Sequence, residues 1–507
     1  MAADPGPCAE SIMARLQGRD PGETLVVDAS GRIWTAADCL RGSERAAAWL
    51  AGLGVGPGDR VAVLQTLGVE ALLTWWGIDR LGAVYLPLNP SWTARLAGRV
   101  LRDRRPLLLL ADPTMHDAAT RASHAAGVPG APGVPGAPAV PVVATASMPT
   151  GSAAGAAPPP FPRGSLDDCC IVHNSGRPGI HHGVRVSWRM FEVMGANLAA
   201  LHPADRVLVP ASPCFFGTLV SVYGALAGSG SVALLPGLDA ATFWPAVRRA
   251  GVTFASLLQP SLADLMAAPP SPADRDHPLR LVTASPAQAE LNAAAVERFG
   301  VHWMAGLGKT EVCGAVATDV DPGPTDGVGR ILDPFEGRVV DAAGVEVAAG
   351  TAGELVLRSR VAGALPAGYA DDPGATALLW RDGWMHTGWH VRRDGAGSLH
   401  PVGNLSIHPV VVKRAGYLFA ADLEAEIVAV TAADGARVSS RPAADPSADP
   451  IVVAWVTGDH LDPVSMGRDL VAGLPGHLVP EWIVSTDTLP ERPDELDIPA
   501  DAWAVSG

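Results

Sequence analysis

The sequence predicts an α/β protein in two parts: a large N-terminal domain of layered α/β sheets with a small barrel-like β subdomain, then a small α+β C-terminal unit. Three observations carry this. Short apolar runs alternate with helix-length segments from Leu25 to Asp112 and again from Asp205 to Gly306, the pattern of strand and helix in a mostly parallel sheet. From Gly327 to Val361 the apolar runs shorten to strand length. After Gly403 the remaining chain reads as a compact mixture of strands and helices, so the domains are expected at 1–403 and 404–507 with a hinge near Asn404 to Ile407.

Within the first run, "RVAVLQTL" is a strand and "GVEALLTWWGIDRLG" a helix closed by glycine. "AVYLPLN" is the next strand, "SWTARLAGRVLRDRR" a helix begun by Ser91, and "PLLLLAD" a further strand. Residues 127–160 are low-complexity Gly, Pro and Ala, too rich in proline for a helix or central strand, and are expected as a surface excursion. "DRVLVPASP", "GTLVSVYGALAGSGSVALLPG" and "FWPAVRRAGVTFASLLQ" resume the alternation; "GRVVDAAGVEV" and "GELVLRS" supply the β subdomain.

A chain of 507 residues exceeds what one hydrophobic core organises, so two or three domains are expected. The net charge of -15 argues against nucleic acid and anionic membrane surfaces, which attract basic faces; small molecules and proteins are the expected partners. Six scattered cysteines show no paired spacing, which suits reduced thiols and a cytoplasmic location, and implies no metal site. The first residues lack a leader pattern, and no apolar run reaches the ~18 residues of a membrane span. Lys309 and Lys413 are the only lysines among 37 Lys and Arg residues. An ammonium and a guanidinium are not interchangeable at a site, so a lost catalytic lysine is not made good by the abundant arginine.

Several separated motifs fall in a family order. "GDRVAVLQTLGVEALLTWWGIDRLGAVYLPLNPSWTARLAGRVLRD", "GLGKTE", "GELVLRS", "DGWMHTGW", "VVVKRAG" and "LVPEWIVSTDTLPE" follow one another over nearly the whole chain. In these stretches it resembles the adenylate-forming superfamily of acyl- and aryl-CoA synthetases, luciferases and peptide-synthetase adenylation domains. The resemblance implies a mobile C-terminal lid that swings between an adenylation pose and a thioester-forming pose.

The same resemblance marks departures. The family loop "TSGTTGxPKG", which wraps ATP phosphates, corresponds to "NSGRPGIHHG". Ser175, Gly176, Gly179 and Gly183 are kept; Asn174, Arg177 and Pro178 stand where hydroxyls are expected, and His181-His182 replace Pro-Lys. Trp389 stands where the family carboxylate grips ribose, and an indole has no acceptor to do so. Asn404 replaces an arginine, Leu307 the aromatic residue beside adenine, and Leu496 the lysine that bridges carboxylate and α-phosphate. Loss of one such transition-state donor costs about 3–4 kcal/mol. ATP with Mg²⁺ is therefore not expected to serve as cofactor, and Trp389 is expected to plug the ribose pocket.

Other positions match. Thr310 and Glu311 correspond to the family Thr-Glu, Glu311 being either a kept magnesium ligand or an orphaned carboxylate with a structural partner. Gly306, Leu307 and Gly308, with Phe215 and Phe216 of "SPCFFGT", correspond to the acid pocket, the aromatic pair as its gate. Thr387 persists, and Lys413 with Gly416 matches the pantetheine tunnel. His181 and His182 are either solvent-exposed loop residues or a general base or substrate contact, His182 being the candidate for the catalytic role. The expected ligand is CoA or a phosphopantetheine thioester, with an acyl substrate and an acyl-carrier protein as partners. Three functions are open: a diverged protein of bacterial specialised metabolism that handles an acyl or amino-acyl thioester without adenylation, a catalytically silent binding partner, or an AMP-forming ligase with rewired ATP contacts.

Overall fold

The computed structural model describes residues 12–127, 140–149, 156–174, 181–196, 202, 204–285, 288–322, 327–402, 410–413, 416–441, 451–459, 461–474, 476–490, 498–499 and 502–505. Two stacked α/β layers form the N-terminal part. One sheet has six strands in the order Val142–Ala144, Leu108–Ala111, Arg60–Leu64, Val84–Pro87, Asp168–His173 and Gly183–Ser187, parallel except for the last hairpin. The other has seven, running from His302–Met304 through Leu281–Ser285, Phe254–Leu258, Arg206–Val209 and Ser231–Leu234 to Thr24–Val27 and Ile33–Thr35.

That order corrects two expectations. Thr24–Val27 lies between Ser231–Leu234 and Ile33–Thr35, apart from the sheet of Arg60–Leu64, Val84–Pro87 and Leu108–Ala111, because Val26 pairs in parallel with Val232. The low-complexity stretch contributes Val142–Ala144, an edge strand; an edge needs only one row of hydrogen bonds, so flanking prolines are tolerated. A third correction concerns the helix Ala94–Arg104, which is capped by Thr93 rather than begun by Ser91. The Thr93 hydroxyl accepts from the Leu96 amide, while Ser91 lies in a turn with its N–H donating to Asn89 Oδ1.

The helix Val69–Arg80 runs as expected, and the chain leaves it through Gly82 at φ +71. It is buried on nearly all sides because it packs on the strand Val84–Pro87 and against the helices Ala36–Gly52 and Trp188–Ala196. There Trp75 packs with Tyr85, Trp188 and Phe191, and Phe191 continues the aromatic stack to Phe216 and Tyr223. Each such side chain contributes roughly 1.5–3 kcal/mol by leaving water.

The β subdomain is antiparallel: Phe335–Val340, Ala352–Ser359, Trp384–Arg393 and Trp380–Arg381 in order, with Leu399–Pro401 pairing the long strand. A three-stranded sheet (Gly306–Lys309, Val312–Ala317, Arg330–Ile331) joins it to the core. The C-terminal unit holds the hairpin Val410–Lys413 and Gly416–Phe419, the helix Ala420–Val430, and a four-stranded sheet of Gly435–Arg441, Ile451–Thr457, Trp482–Ser485 and Trp503–Ala504 backed by the helix Pro463–Gly473. The hinge expected at 404–407 lies outside the described residues. Among the described residues no helix is long and apolar enough to cross a membrane.

Candidate functional site

The site is built where the strand pair Asp168–His173 and Gly183–Ser187 meets the Gly306–Lys309/Val312–Ala317 hairpin. Glu311 sits at the tip of that hairpin and is buried to 1% exposure. Its Oε1 accepts from Asn174 Nδ2 and from the Tyr369 hydroxyl, each at 2.6 Å. Its Oε2 faces Lys309 Nζ at 3.6 Å. Lys309 in turn donates to the Thr387 carbonyl at 3.0 Å. The carboxylate thus has two hydrogen-bond donors, both on Oε1, and one cation near Oε2, which itself makes no hydrogen bond. Burial and the adjoining Glu311 carboxylate push the Tyr369 hydroxyl far up, so it stays a donor.

Asn174 is the joint of the arrangement. Its side-chain oxygen accepts from the His182 amide, its own amide donates to the His182 carbonyl, and its carbonyl faces His181 Nδ1 at 2.8 Å. Gly183 follows because a Cβ there would lie 2.7 Å from Ile171 Cγ2 and 2.8 Å from Arg104 Nε. Close packing alone demands glycine at this position.

His182 stacks on Tyr369 at 4.6 Å between centroids, and its Nδ1 lies 3.0 Å from Asp372 Oδ2. A carboxylate only accepts, so Nδ1 carries the proton and Nε2 is left as the proton acceptor. Asp372 is itself held in place, because its other oxygen, Oδ1, caps the helix Pro373–Leu379 at the Ala375 amide. Thr376 pins the turn by accepting from the Tyr369 amide and donating to the Asp372 carbonyl.

The remaining expected residues divide. Thr310 occupies the hairpin turn beside Glu311. Leu307 is buried in the main core, and Gly306 admits the Val316 carbonyl, which a Cβ would meet at 2.8 Å; Gly308 has ordinary space. Thr387 spends its hydroxyl on the Leu355 carbonyl and the Trp389 amide. Trp389 alternates inward on its strand with Met385, Thr387 and Val391 and is part of the main core. Phe216 is likewise core, packed on Phe191, so of the aromatic pair only Phe215 keeps partial exposure. Lys413 and Gly416 close the lid hairpin as backbone partners. Ser175, Gly176 and Gly179 lie outside the described residues, as do Asn404 and Leu496. His386 and His400 face Glu354 and Asp394, local pairs of the β subdomain away from Glu311. Among the described residues no group of three or more His, Cys, Asp or Glu could hold a metal ion.

Sequence reasoning missed Lys309, Tyr369 and Asp372. For Lys309 a signal existed: a lysine two positions from Glu311 in a chain with only two. Tyr369 and Asp372 gave none, since only the fold brings them in.

The comparisons with known proteins agree with this architecture. A family model described as "AMP-binding enzyme" matches residues 14–369. A feruloyl-CoA synthase from Amycolatopsis sp is 28% identical over 480 residues, covering 91% of each chain. The "Probable non-canonical nonribosomal peptide synthetase (NRPS) CymA" of Salinispora arenicola is 28% identical over 506 residues, 95% of this chain and 6% of that protein. Among solved structures, the amide bond synthetase McbA from Marinactinospora thermotolerans superposes with a TM-score of 0.75 at 23% identity, covering 95% of this chain and 97% of that one, a likeness of fold.

Proposed function

Since the chain belongs to the AMP-binding enzyme family, we propose that it is an acyl-CoA-synthetase-like protein of bacterial specialised metabolism that binds an acyl or amino-acyl thioester without forming an adenylate. The observation that carries the reading is the environment of Glu311. A carboxylate that is to hold Mg²⁺ needs lone pairs directed at the ion. Here Oε1 accepts two short hydrogen bonds, which leaves Oε2 as the one carboxylate oxygen without a hydrogen bond, and the Lys309 ammonium at 3.6 Å competes with a cation for it. A dication beside Lys309 would also meet like-charge repulsion. The loss of acceptors at Trp389 and of the loop lysine at His182 points the same way.

In this reading His182 is the working base. Asp372 orients the ring, Tyr369 supports its face, and Nε2 takes the proton of the nucleophile as it adds to the thioester carbonyl and returns it to the thiolate that departs when the C–S bond breaks. Lys413 and Gly416 would line the pantetheine arm. The relatives support acyl thioester chemistry as the class, since a feruloyl-CoA synthase is among them.

Calorimetry with acetyl-CoA and an aryl-CoA, nucleotide absent, tests the proposal. Saturable binding is expected, and Gly416→Trp is expected to abolish it while leaving the melting temperature unchanged. No binding at millimolar concentration would leave the silent-partner reading as the better account.

A further inference from the structure

The lid helix Ala420–Val430 presents two carboxylates one turn apart, Asp422 and Glu426, to the N-terminal domain. Glu426 pairs with Arg95 at 2.7 Å, an ion pair whose arginine is 45% exposed. Asp422 meets His181 instead: Nε2 lies 2.7 Å from Oδ1, with the two side chains 1% and 0% exposed. The second pair is enclosed away from bulk solvent. Trp92 lies over the His181 ring, 4.8 Å between centroids, and packs against both the N-terminal apolar core and the lid core.

The two nitrogens of His181 face acceptors only. Nδ1 looks at the Asn174 carbonyl at 2.8 Å, while Nε2 meets the Asp422 carboxylate at ion-pair distance without hydrogen-bond geometry, so that neither Nε2 nor either Asp422 oxygen has a hydrogen-bond partner. Neither acceptor brings a proton, so both contacts are attractive only when the ring carries two, as imidazolium against carboxylate. Among the described residues Asp422 has no other counter-charge. The further charged or titratable groups nearby do not substitute for it: Arg104 holds the Ala370 carbonyl and faces Asp371, touching His181 at its carbonyl at 3.5 Å, and Glu424 is turned into the lid, holding Arg437 and the Val438 amide. His173, across Trp92, is held neutral, because burial and then Arg104 and the two loop histidines depress it. His182 is engaged by Asp372.

We propose that His181 and Asp422 form a proton-dependent latch that docks the lid on the N-terminal domain, closed while the pair holds its proton and open once it is lost. The sign follows from the geometry. A ring that loses either proton sets a lone pair against an acceptor in a dry interface, and a buried carboxylate is left without its cation. Arg95–Glu426 remains as a proton-independent tether, solvent-screened and weaker. The latch does not depend on which ligand the site takes.

Spin labels at Val464→Cys on the lid and His124→Cys on the N-terminal domain, in the full chain with Cys8 and Cys313 replaced by serine, report the inter-domain distance. Both label sites are exposed. From about pH 5.5 to about pH 9, a range spanning histidine titration, the wild-type pair is expected to pass from one narrow distance distribution to a broad one, with a tenfold or larger fall in the docked fraction. His181→Gln is expected to be broad throughout, and Asp422→Asn to lose the pH response. Unchanged far-ultraviolet dichroism keeps misfolding apart from undocking. A wild-type distribution that ignores pH, or a His181→Gln distribution that matches wild type, overturns the latch.

Discussion

Lys309 determines how Glu311 is read. Without its ammonium, a carboxylate at 1% exposure would keep two hydrogen bonds and no cation. Lys309→Met is therefore expected to cost about 1–3 kcal/mol, the penalty for an under-satisfied buried acceptor. Glu311→Gln in the same chain should recover part of it, a coupling measurable by urea denaturation of the four chains of a double-mutant cycle. If the two substitutions add without coupling, Lys309 is not the partner of Glu311. Asp79 gives a second prediction at this scale. Its carboxyl is enclosed between Trp188 Nε1 at 2.9 Å and Arg163 at 3.8 Å, and burial pushes it up from 3.8 to about 6 against both partners. The folded state binds this proton more tightly than the unfolded chain. Its contribution is therefore full below about pH 4 and is lost as pH rises through about 6, on the order of 3 kcal/mol across the window. Denaturation of wild type and Asp79→Asn at pH 4 and pH 7 should show wild type losing ground relative to the variant by that amount. Parallel pH profiles would refute the assignment.

Among the elements, the helix Ala94–Arg104 offers a clean test. Thr93→Ala should cost about 1 kcal/mol, the usual value of an N-cap, and more than Ser91→Ala. The reverse order would return the helix start to Ser91. Gly183→Ala is expected to cost about 1–3 kcal/mol through overpacking against Ile171 and Arg104, read as a lowered melting temperature. These elements also show what the sequence could and could not tell. Val69–Arg80 was legible because an apolar helical run ends at glycine, and the β subdomain because its apolar runs are short. The sheet membership of Thr24–Val27 was not, since pairing with Ser231–Leu234 is non-local and no local pattern encodes it. The site divides the same way. Glu311, His182 and Gly183 could be read from motifs, whereas Tyr369 reaches Glu311 from 58 positions away and Asp372 reaches His182 from 190. Neither carries a chemical signature before the chain folds.

At the scale of the whole molecule, the family match covers residues 14–369 and the likeness of fold to solved structures covers 95% of the chain, while Glu311 stands among Asn174, Tyr369 and Lys309. Fold membership alone does not decide whether this chain adenylates, because function lies in the site rather than in the fold. Residues acting as one unit are strongly non-additive, so under the proposed loss of adenylation Trp389→Asp or Leu496→Lys alone should return almost no activity. The measurement that separates fold from site most directly is ATP–pyrophosphate exchange driven by a panel of aliphatic and aromatic carboxylic acids with Mg²⁺ present. The account predicts exchange no faster than the protein-free control for every acid. Carboxylate-dependent exchange at a rate ordinary for the family would contradict it and make the chain an AMP-forming ligase.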